Sequence, residues 1–293
     1  MNNDLQRRTA EYRQYIERYL TDYYTCFRCE PQQLLFEAMN YSLLSGGKRL
    51  RPIFTLEFCR MCGSDWKLAA PFAAAVEMIQ TYSLIHDDLP CMDDDDLRRG
   101  KPTNHKVYGE GMAVLAGDAL LTDAFMVASG AKLKKPENIA TAIGVLAQNA
   151  GSLGMVGGQV LDINSEERLL TEEEVLAIQS RKTGALINAS CVLGVLAAGG
   201  SELQLEAASR FAGALGLAFQ IRDDMLDVIG NEKELGKAVG TDAVKNTFVR
   251  LYGLEKCEKL VNHYTDIALE ALKVFPDHQY LYDLALQLTQ RTS

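Results

Sequence analysis

Between Asp87 and Asp96 the chain places six aspartates in ten positions, in the stretch HDDLPCMDDDDLRRG (residues 86–100), and follows them at once with Arg98 and Arg99. Carboxylates this close repel one another, and such a run taken alone is ordinarily a solvated face. A second set changes that reading. FQIRDDMLDVI (219–229) puts Asp223, Asp224 and Asp227 at i, i+1 and i+4. Asp223 and Asp227 share a helix face, within an otherwise apolar segment where an unpaired carboxylate is costly. Shared counter-ions explain both sets better than solvent does. Carboxylate oxygens suit a hard cation. Mg2+ fits best, because it accepts one or two carboxylates, keeps waters and completes its shell with substrate phosphates. Two carboxylate sets facing one cavity would hold a diphosphate through bridging metals. Arg98 and Arg99 would then touch the remaining phosphate oxygens directly.

The elements that must present these groups read as helices. The first set begins at the end of an apolar helix, YSLIHDD, so Asp87 and Asp88 project from a terminus anchored in the core. On an unbroken helix a residue six positions on lies far round the cylinder. Pro90 interrupts the helix, and a break over Leu89–Met92 lets Asp87 and Asp93 reach one side. LLFEAMNYSLL, LAAPFAAAVEMIQTYSLIHD, AVLAGDALLTDAFMVASG and LEAASRFAGALGLAFQIRDDMLDVI all carry apolar residues at three- and four-residue spacing, and none alternates with a period of two. Residues 112–129 and 185–198 are apolar nearly all round, as helices at the centre of a bundle are. Pro31, Pro52, Pro71 and Pro136 open or end helices. The Gly-Gly pairs at 46–47, 157–158 and 199–200 mark breaks. With no repeat, linker or low-complexity segment, the simplest expectation is one all-α domain over 1–293.

Basic residues lie where an anion would need them. SGGKRLRP (45–52) sets Lys48, Arg49 and Arg51 behind a flexible Gly pair before a helix, an arrangement suited to anion binding through backbone N–H groups. RKTGAL (181–186) puts Lys182 and Thr183 into a nearly apolar helix, where a lysine either snorkels or meets an anion. Lys237 and Lys245 come after the second acidic set in a Gly-containing stretch. Taken singly, each is ordinarily a solvated cation. Together with two Asp clusters they point to a phosphorylated substrate.

Bulk properties bound the alternatives. The 293 residues are 47% apolar, enough for a large core, and carry a formal charge of −9, which argues against nucleic acid as a partner. No apolar run reaches membrane-spanning length without a Gly, Asp or Gln, so stable membrane insertion is not expected. The first twenty residues lack the apolar centre of a signal peptide. Seven cysteines favour reduced thiols and a cytoplasmic protein. Two pairs have CxxC spacing, Cys26 with Cys29 and Cys59 with Cys62. They are 29 residues apart and sit in helical pattern, so ordinary thiols are favoured over a zinc site.

DDLPCMD followed by DLRRG, then DDMLD, with GGKRLRP, GGQVLD and KTG, resembles the trans-isoprenyl diphosphate synthases. The motifs run from 46 to 248 in the family's order. The resemblance implies the isoprenoid synthase fold, a single-domain bundle of antiparallel helices around a deep central cavity, with three Mg2+ ions and usually a homodimer. The implied reaction is head-to-tail elongation: an allylic diphosphate ionises, the double bond of isopentenyl diphosphate attacks the cation, and a proton is lost. By motif position, Asp87 and Asp93 with Asp88, and Asp223 with Asp224 and Asp227, would ligate metal. Arg98, Lys182 and Lys237 would hold the allylic diphosphate. Lys48, Arg51, Gln80 and Arg99 would hold isopentenyl diphosphate. Thr183 and Gln220 would offer oxygen dipoles to the cation, and Gln159 and Asp162 would organise their neighbours. Two features depart from the family pattern. Gln80 stands where many relatives have His. The stretch from Asp242 to Lys245 is about two residues short, with Val249 where Pro is common, so the role of Lys245 stays open.

Tyr82 lies five residues before Asp87, about one and a half turns deeper, where its ring would block a growing chain. Ser83 beside it adds little bulk. An aromatic there, with the two extra residues of DDLPCMD, resembles bacterial farnesyl diphosphate synthases and a C15 product. A C20 product is the alternative. A terpene cyclase would ordinarily lack the isopentenyl diphosphate motif and the second Asp set, and a non-catalytic subunit of a heteromeric synthase typically loses the Asp motifs.

Overall fold

The computed structural model describes residues 3–25, 30–165, 168–235 and 247–291, with the side chains of residues 3 and 230–235 left aside. Among these residues the protein is helical, with a single pair of two-residue strands. The helices are α1 (Asn3–Thr25), α2 (Gln33–Leu43), α3 (Leu50–Met61), α4 (Ala70–Asp87), α5 (Asn104–Tyr108), α6 (Glu110–Ser129), α7 (Glu137–Ala150), α8 (Met155–Ile163), α9 (Glu172–Gln179), α10 (Ala185–Ala198), α11 (Glu202–Leu235), α12 (Phe248–Leu272) and α13 (Gln279–Thr289). Strands β1 (Leu97–Arg98) and β2 (Lys101–Pro102) form a tight antiparallel turn between α4 and α5. Two compact units are discernible. The first comprises Met1–Gly144 and Leu196–Gly199, the second Val145–Val195 and Gly200–Ser293.

In the first unit, α4 is the central element and packs on α3 and α6. Its start is fixed by a 3-10 turn, in which the Asp65 side chain accepts from the Lys67 N–H, and by Pro71 at the first positions of the helix. Twelve of its residues are buried, with Ala73, Ala74 and Ala75 allowing neighbours to approach closely. The buried Glu57 of α3 tethers α1 by accepting from Tyr12 Oη at 2.5 Å, with Arg60 and Arg8 completing its hydrogen bonds. At the far end of α4, the ring of His86 contacts the Val114 carbonyl at 3.1 Å. It occupies a notch that exists because residue 117 has no side chain; a Cβ there would overlap the imidazole.

In the second unit α11 packs along α12. Ile221, Met225, Phe248, Cys257 and Val261 form its buried cluster. The Thr171–Glu174 capping box starts α9. The chain then passes into a π-helical turn, Ser180–Gly184, before α10. α12 is interrupted at Gly253, whose φ of 71° and ψ of 162° are not helical.

Three expectations need correction. Gly157 and Gly158 do not break a helix but lie within α8; Gly158 lets the backbone of Lys182 approach where a Cβ would overlap it. α10 is buried over much of its length, but α6 leaves Val114, Leu115 and Met126 exposed, so an all-round apolar helix here is not an all-round buried one. Three helical stretches, Trp66–Asp87, Glu110–Ser129 and Glu137–Ile163, are long and apolar enough to cross a membrane, because the polar interruptions are too few. The first is 72% buried, its apolarity absorbed by the core. Cys59 and Cys62 carry thiols that burial pushes up to about 12. Cys26 and Cys29 lie outside the described residues.

Gly117→Ala is therefore expected to destabilise the fold by about 2 kcal/mol, the cost of forcing a side chain into a packed contact. His86→Ala in the same chain should recover most of that loss in a denaturant titration. Additive losses would show that the notch is not shared.

Candidate active site

The end of α4 resolves how six aspartates coexist. The helix stops at Asp88, and the chain turns so that the Asp93 N–H donates to the Asp87 carbonyl at 2.9 Å. Met92 and Asp94 close the same turn onto the Leu89 carbonyl. Asp87 and Asp93, six residues apart, thus become neighbours across the helix terminus. Asp88 is buried, at 3% exposure, and accepts from Arg98 Nε at 2.6 Å and Nη2 at 2.5 Å. Burial pushes its carboxyl upward, and Arg98 opposes that shift. Asp95 lies 3.4 Å from the same guanidinium, and Asp96 pairs with Lys106 at 2.7 Å. Asp93 and Asp94 are exposed.

Arg99, the next residue, takes the left-handed conformation with φ at 55°. Its guanidinium crosses to the Gly46–Gly47 loop, where it donates to the Gly46 carbonyl and lies 3.4 Å from Ser45 Oγ. Gly47, with φ at 126°, holds a conformation that favours glycine, and that guanidinium fills the space a Cβ would take. Among the described residues the three non-glycine positions with positive φ are Arg49, Asp94 and Arg99, all in these loops, as expected where backbone strain serves a site. Arg49 is buried and pairs with Glu77; it also donates to the Leu43 carbonyl at 2.7 Å. It holds the loop and faces no solvent. Lys48 is exposed, whereas Arg51 is partly buried, with Nε lacking a hydrogen-bond partner among the described residues. Burial lowers the Arg51 pKa and Glu77 opposes that. Gln80 is partly buried on α4, and its carbonyl accepts from Ser83 Oγ at 3.0 Å. Asp88, Arg98, Arg99, Lys101 and Asn104 line one cleft of this unit. Asn104 was not singled out by sequence. It is 2% exposed and donates to the Ala38 carbonyl and Ser42 Oγ, but its own carbonyl oxygen has no partner among the described residues.

In the second unit, Lys182 and Thr183 sit in the π-helical turn, a distortion often found at functional sites. Lys182 Nζ donates to Asp162 Oδ2 at 2.6 Å, so Asp162 on α8 aims the lysine. Gln159, one turn earlier on α8, is partly buried. On α11, Asp224 is 7% exposed and accepts from the Phe248 N–H at 2.9 Å and Gln220 Nε2 at 3.2 Å. It thereby fixes the start of α12 and the orientation of the Gln220 amide. Desolvation raises its pKa, and those two hydrogen bonds oppose the shift. Asp223 forms an ion pair with Arg291, and Asp227 is exposed. Tyr82, 6% exposed, meets the His86 ring edge-on at 5.7 Å between centroids. Lys237 and Lys245 lie outside the described residues.

These residues fit Mg2+ in one form and not another. Among the described residues no three His, Cys, Asp or Glu side chains converge into a closed cage. A carboxylate pair such as Asp87 and Asp93, and the Asp223 and Asp227 face, supply one or two oxygen ligands each, which is what Mg2+ takes when water and phosphate complete the shell. Asp224 spends both oxygens on protein donors and Asp88 spends Oδ1 on Arg98, so both fix their neighbours.

The Asp88–Arg98 pair makes a testable distinction. Arg98→Met leaves the buried Asp88 carboxylate without its donor and should cost about 2 kcal/mol in a denaturant titration. Asp88→Asn combined with Arg98→Met should restore most of the stability. Equal losses in both variants would mean that the pair does not hold the turn.

With this geometry in place, comparison with known proteins is informative. The chain matches the model of the polyprenyl synthetase family over residues 32–272. It is 43% identical over 277 residues to farnesyl diphosphate synthase of Bacillus subtilis strain 168, covering 93% of this chain and 92% of that protein. It is 47% identical over 265 residues to the chloroplastic heterodimeric geranylgeranyl pyrophosphate synthase large subunit 1 of Arabidopsis thaliana, covering 88% and 71%. Among solved structures, an FPP/GFPP synthase from Zymomonas mobilis gives a TM-score of 0.87 at 36% identity, covering 97% of this chain and 98% of that one. A geranyltransferase from Legionella pneumophila gives 0.87 at 32%, covering 99% of each. An all-α chain with both Asp sets and this extent of likeness is a prenyltransferase: it belongs to the polyprenyl synthetase family.

Proposed function

We propose that the chain is a Mg2+-dependent farnesyl diphosphate synthase that condenses isopentenyl diphosphate with dimethylallyl or geranyl diphosphate. The observation that carries the C15 assignment is the buried Tyr82, one and a half turns below Asp87 on α4, with its ring braced by His86. The Arabidopsis relatives named as geranylgeranyl pyrophosphate synthases supply the alternative, a C20 product. The family match runs through residues of both compact units, which supports treating 1–293 as one catalytic domain.

In this reading Asp87 and Asp93, and Asp223 with Asp227, bind Mg2+, with three ions expected from the family resemblance. Mg2+, when bound, neutralises the charge that develops on the departing diphosphate. Lys182, aimed by Asp162, and Arg98, aimed by Asp88, add fixed positive charge toward the allylic diphosphate, together with Lys237. Lys48, Arg51, Gln80 and Arg99 bind isopentenyl diphosphate. As the allylic C–O bond breaks, the cation is stabilised by dipoles that are poor nucleophiles. The Gln220 amide N–H is taken by Asp224, which leaves its carbonyl oxygen for the cation, and Thr183 provides a hydroxyl. Attack by the double bond forms the new C–C bond, and loss of a proton restores the alkene. The apolar faces around Tyr82 keep water from the cation.

The exposed Leu115 and Met126, eleven positions apart and so on one face of α6, support a homodimer. A cytoplasmic setting belongs to the same proposal and rests on the odd number of cysteines in the sequence.

Purified protein incubated with Mg2+, isopentenyl diphosphate and either allylic starter should give farnesol after dephosphorylation. Tyr82→Ala should lengthen the product by at least one C5 unit. Geranylgeraniol from the unaltered protein would overturn the C15 assignment, and no elongation would overturn the synthase reading. Gln80→His, which adds a chargeable donor to the phosphate site, should lower KM for isopentenyl diphosphate about fivefold, with kcat little changed. An unchanged KM would remove Gln80 from that site.

A further inference from the structure

We infer that Arg291 is the internal counter-ion of Asp223 and must be displaced when a divalent cation binds there, so that the end of α13 sets the metal affinity of the second Asp set. The inference rests on the proposal that Asp223 is a metal ligand. Asp223 lies on α11 between the buried Ile221 and Met225, with its own side chain 36% exposed, so its carboxylate is open to a partner on one side. Arg291 supplies it. The two side chains form an ion pair, and the Arg291 side chain is only 15% exposed. The guanidinium also lies over the Phe219 ring, with Cζ 4.6 Å from the centroid. Phe219 and Asp223 are four positions apart on α11, so ring and carboxylate form one cradle for a planar cation.

The chain brings Arg291 there by a separate anchor. Arg222 Nε donates to the Thr289 carbonyl at 2.6 Å, and Arg222 is itself held by Glu258 at 2.8 Å. That ties the last turn of α13 to α11 two residues before Arg291 and leaves Arg291 within reach of Asp223. The cradle is also poised to release its occupant. Nη2 of Arg291 faces Asp223, while Nε is buried without a hydrogen-bond acceptor among the described residues, so part of the guanidinium's donor capacity is unspent. Arg222, next to Asp223 in the chain, is a second cation held close by through Glu258 and the Thr289 carbonyl. A divalent ion bound to Asp223 offers the carboxylate twice the charge and removes the main attraction that keeps Arg291 in place.

The test is a Mg2+ titration of the substrate-free protein followed by thermal unfolding, alongside Mn2+ counting by electron paramagnetic resonance. Wild type, Arg291→Gln, Arg291→Lys and Asp223→Asn are compared, with a denaturant titration to confirm that each is folded. Arg291→Gln should reduce the half-saturating metal concentration about fivefold, the factor a partly exposed ion pair supplies. Arg291→Lys should stay near wild type. Unchanged or weaker metal binding in Arg291→Gln, with wild type binding normally, overturns the displacement while leaving the metal reading intact. No metal binding by wild type, or none lost in Asp223→Asn, overturns both.

Discussion

The arrangement around the end of α4 depends on one requirement: a carboxylate buried at the end of an apolar helix must have a cation. Asp88 meets it with Arg98. That pairing dictates the path of the chain beyond the helix. To return Arg98 to Asp88, residues 89–97 must double back, which places the Asp93 N–H on the Asp87 carbonyl. Once Arg98 is pinned, the left-handed turn at Arg99 sends the next guanidinium the other way, against Gly46 and Gly47. The acidic turn and the basic loop of the first unit are therefore joined by two consecutive arginines, each with a different partner. The opposite charges sit close without collapsing onto one another, because Asp88 holds Arg98 in place and leaves exposed Asp93 and Lys48 for a ligand.

The same logic recurs in the second unit. Asp162 holds Lys182, Asp224 holds the start of α12, and Asp223 is held by Arg291. In each case the carboxylate is fixed by a donor of the protein, and for the buried Asp224 those donors offset the cost of desolvation. The close approach of α8 and the π-helical turn, which aims Lys182, needs Gly158 to have no side chain. Fixed dipoles and charges of this kind suit ionisation chemistry, where the site gains most from groups that do not have to reorganise as charge develops.

Much of this was legible in sequence because residue type and spacing carry it. The helical period, the two Asp sets, the break at Pro90 and the neighbouring positions of Asp87 and Asp93 all derive from local rules. The pairings were not legible. Nothing in DDLPCMDDDDLRRG says that Arg98 closes on Asp88 while Arg99 leaves the turn. Nor does GGKRLRP say that Arg49 is buried against Glu77 while Lys48 stays exposed. Those choices are made by backbone conformations, above all the positive φ at Arg49 and Arg99, and by partners distant in sequence. Gly157–Gly158 read as a break because glycine disfavours helix, yet close packing of two backbones used the same residues inside one. α6 read as a central helix because apolarity alone does not say which surface covers it. Asn104 and Arg291 carried no sequence signal, since a lone Asn and a lone terminal Arg have no pattern.

The central claim is that the two Asp sets hold metal for a diphosphate. Calorimetric titration of Mg2+ into the protein, with and without saturating inorganic diphosphate, tests it most directly in wild type, Asp87→Asn and Asp223→Asn. Diphosphate should tighten Mg2+ binding to wild type by at least tenfold, and each variant should lose that gain. If diphosphate leaves Mg2+ affinity unchanged, or the variants respond as wild type does, the aspartates serve some other purpose and the account fails.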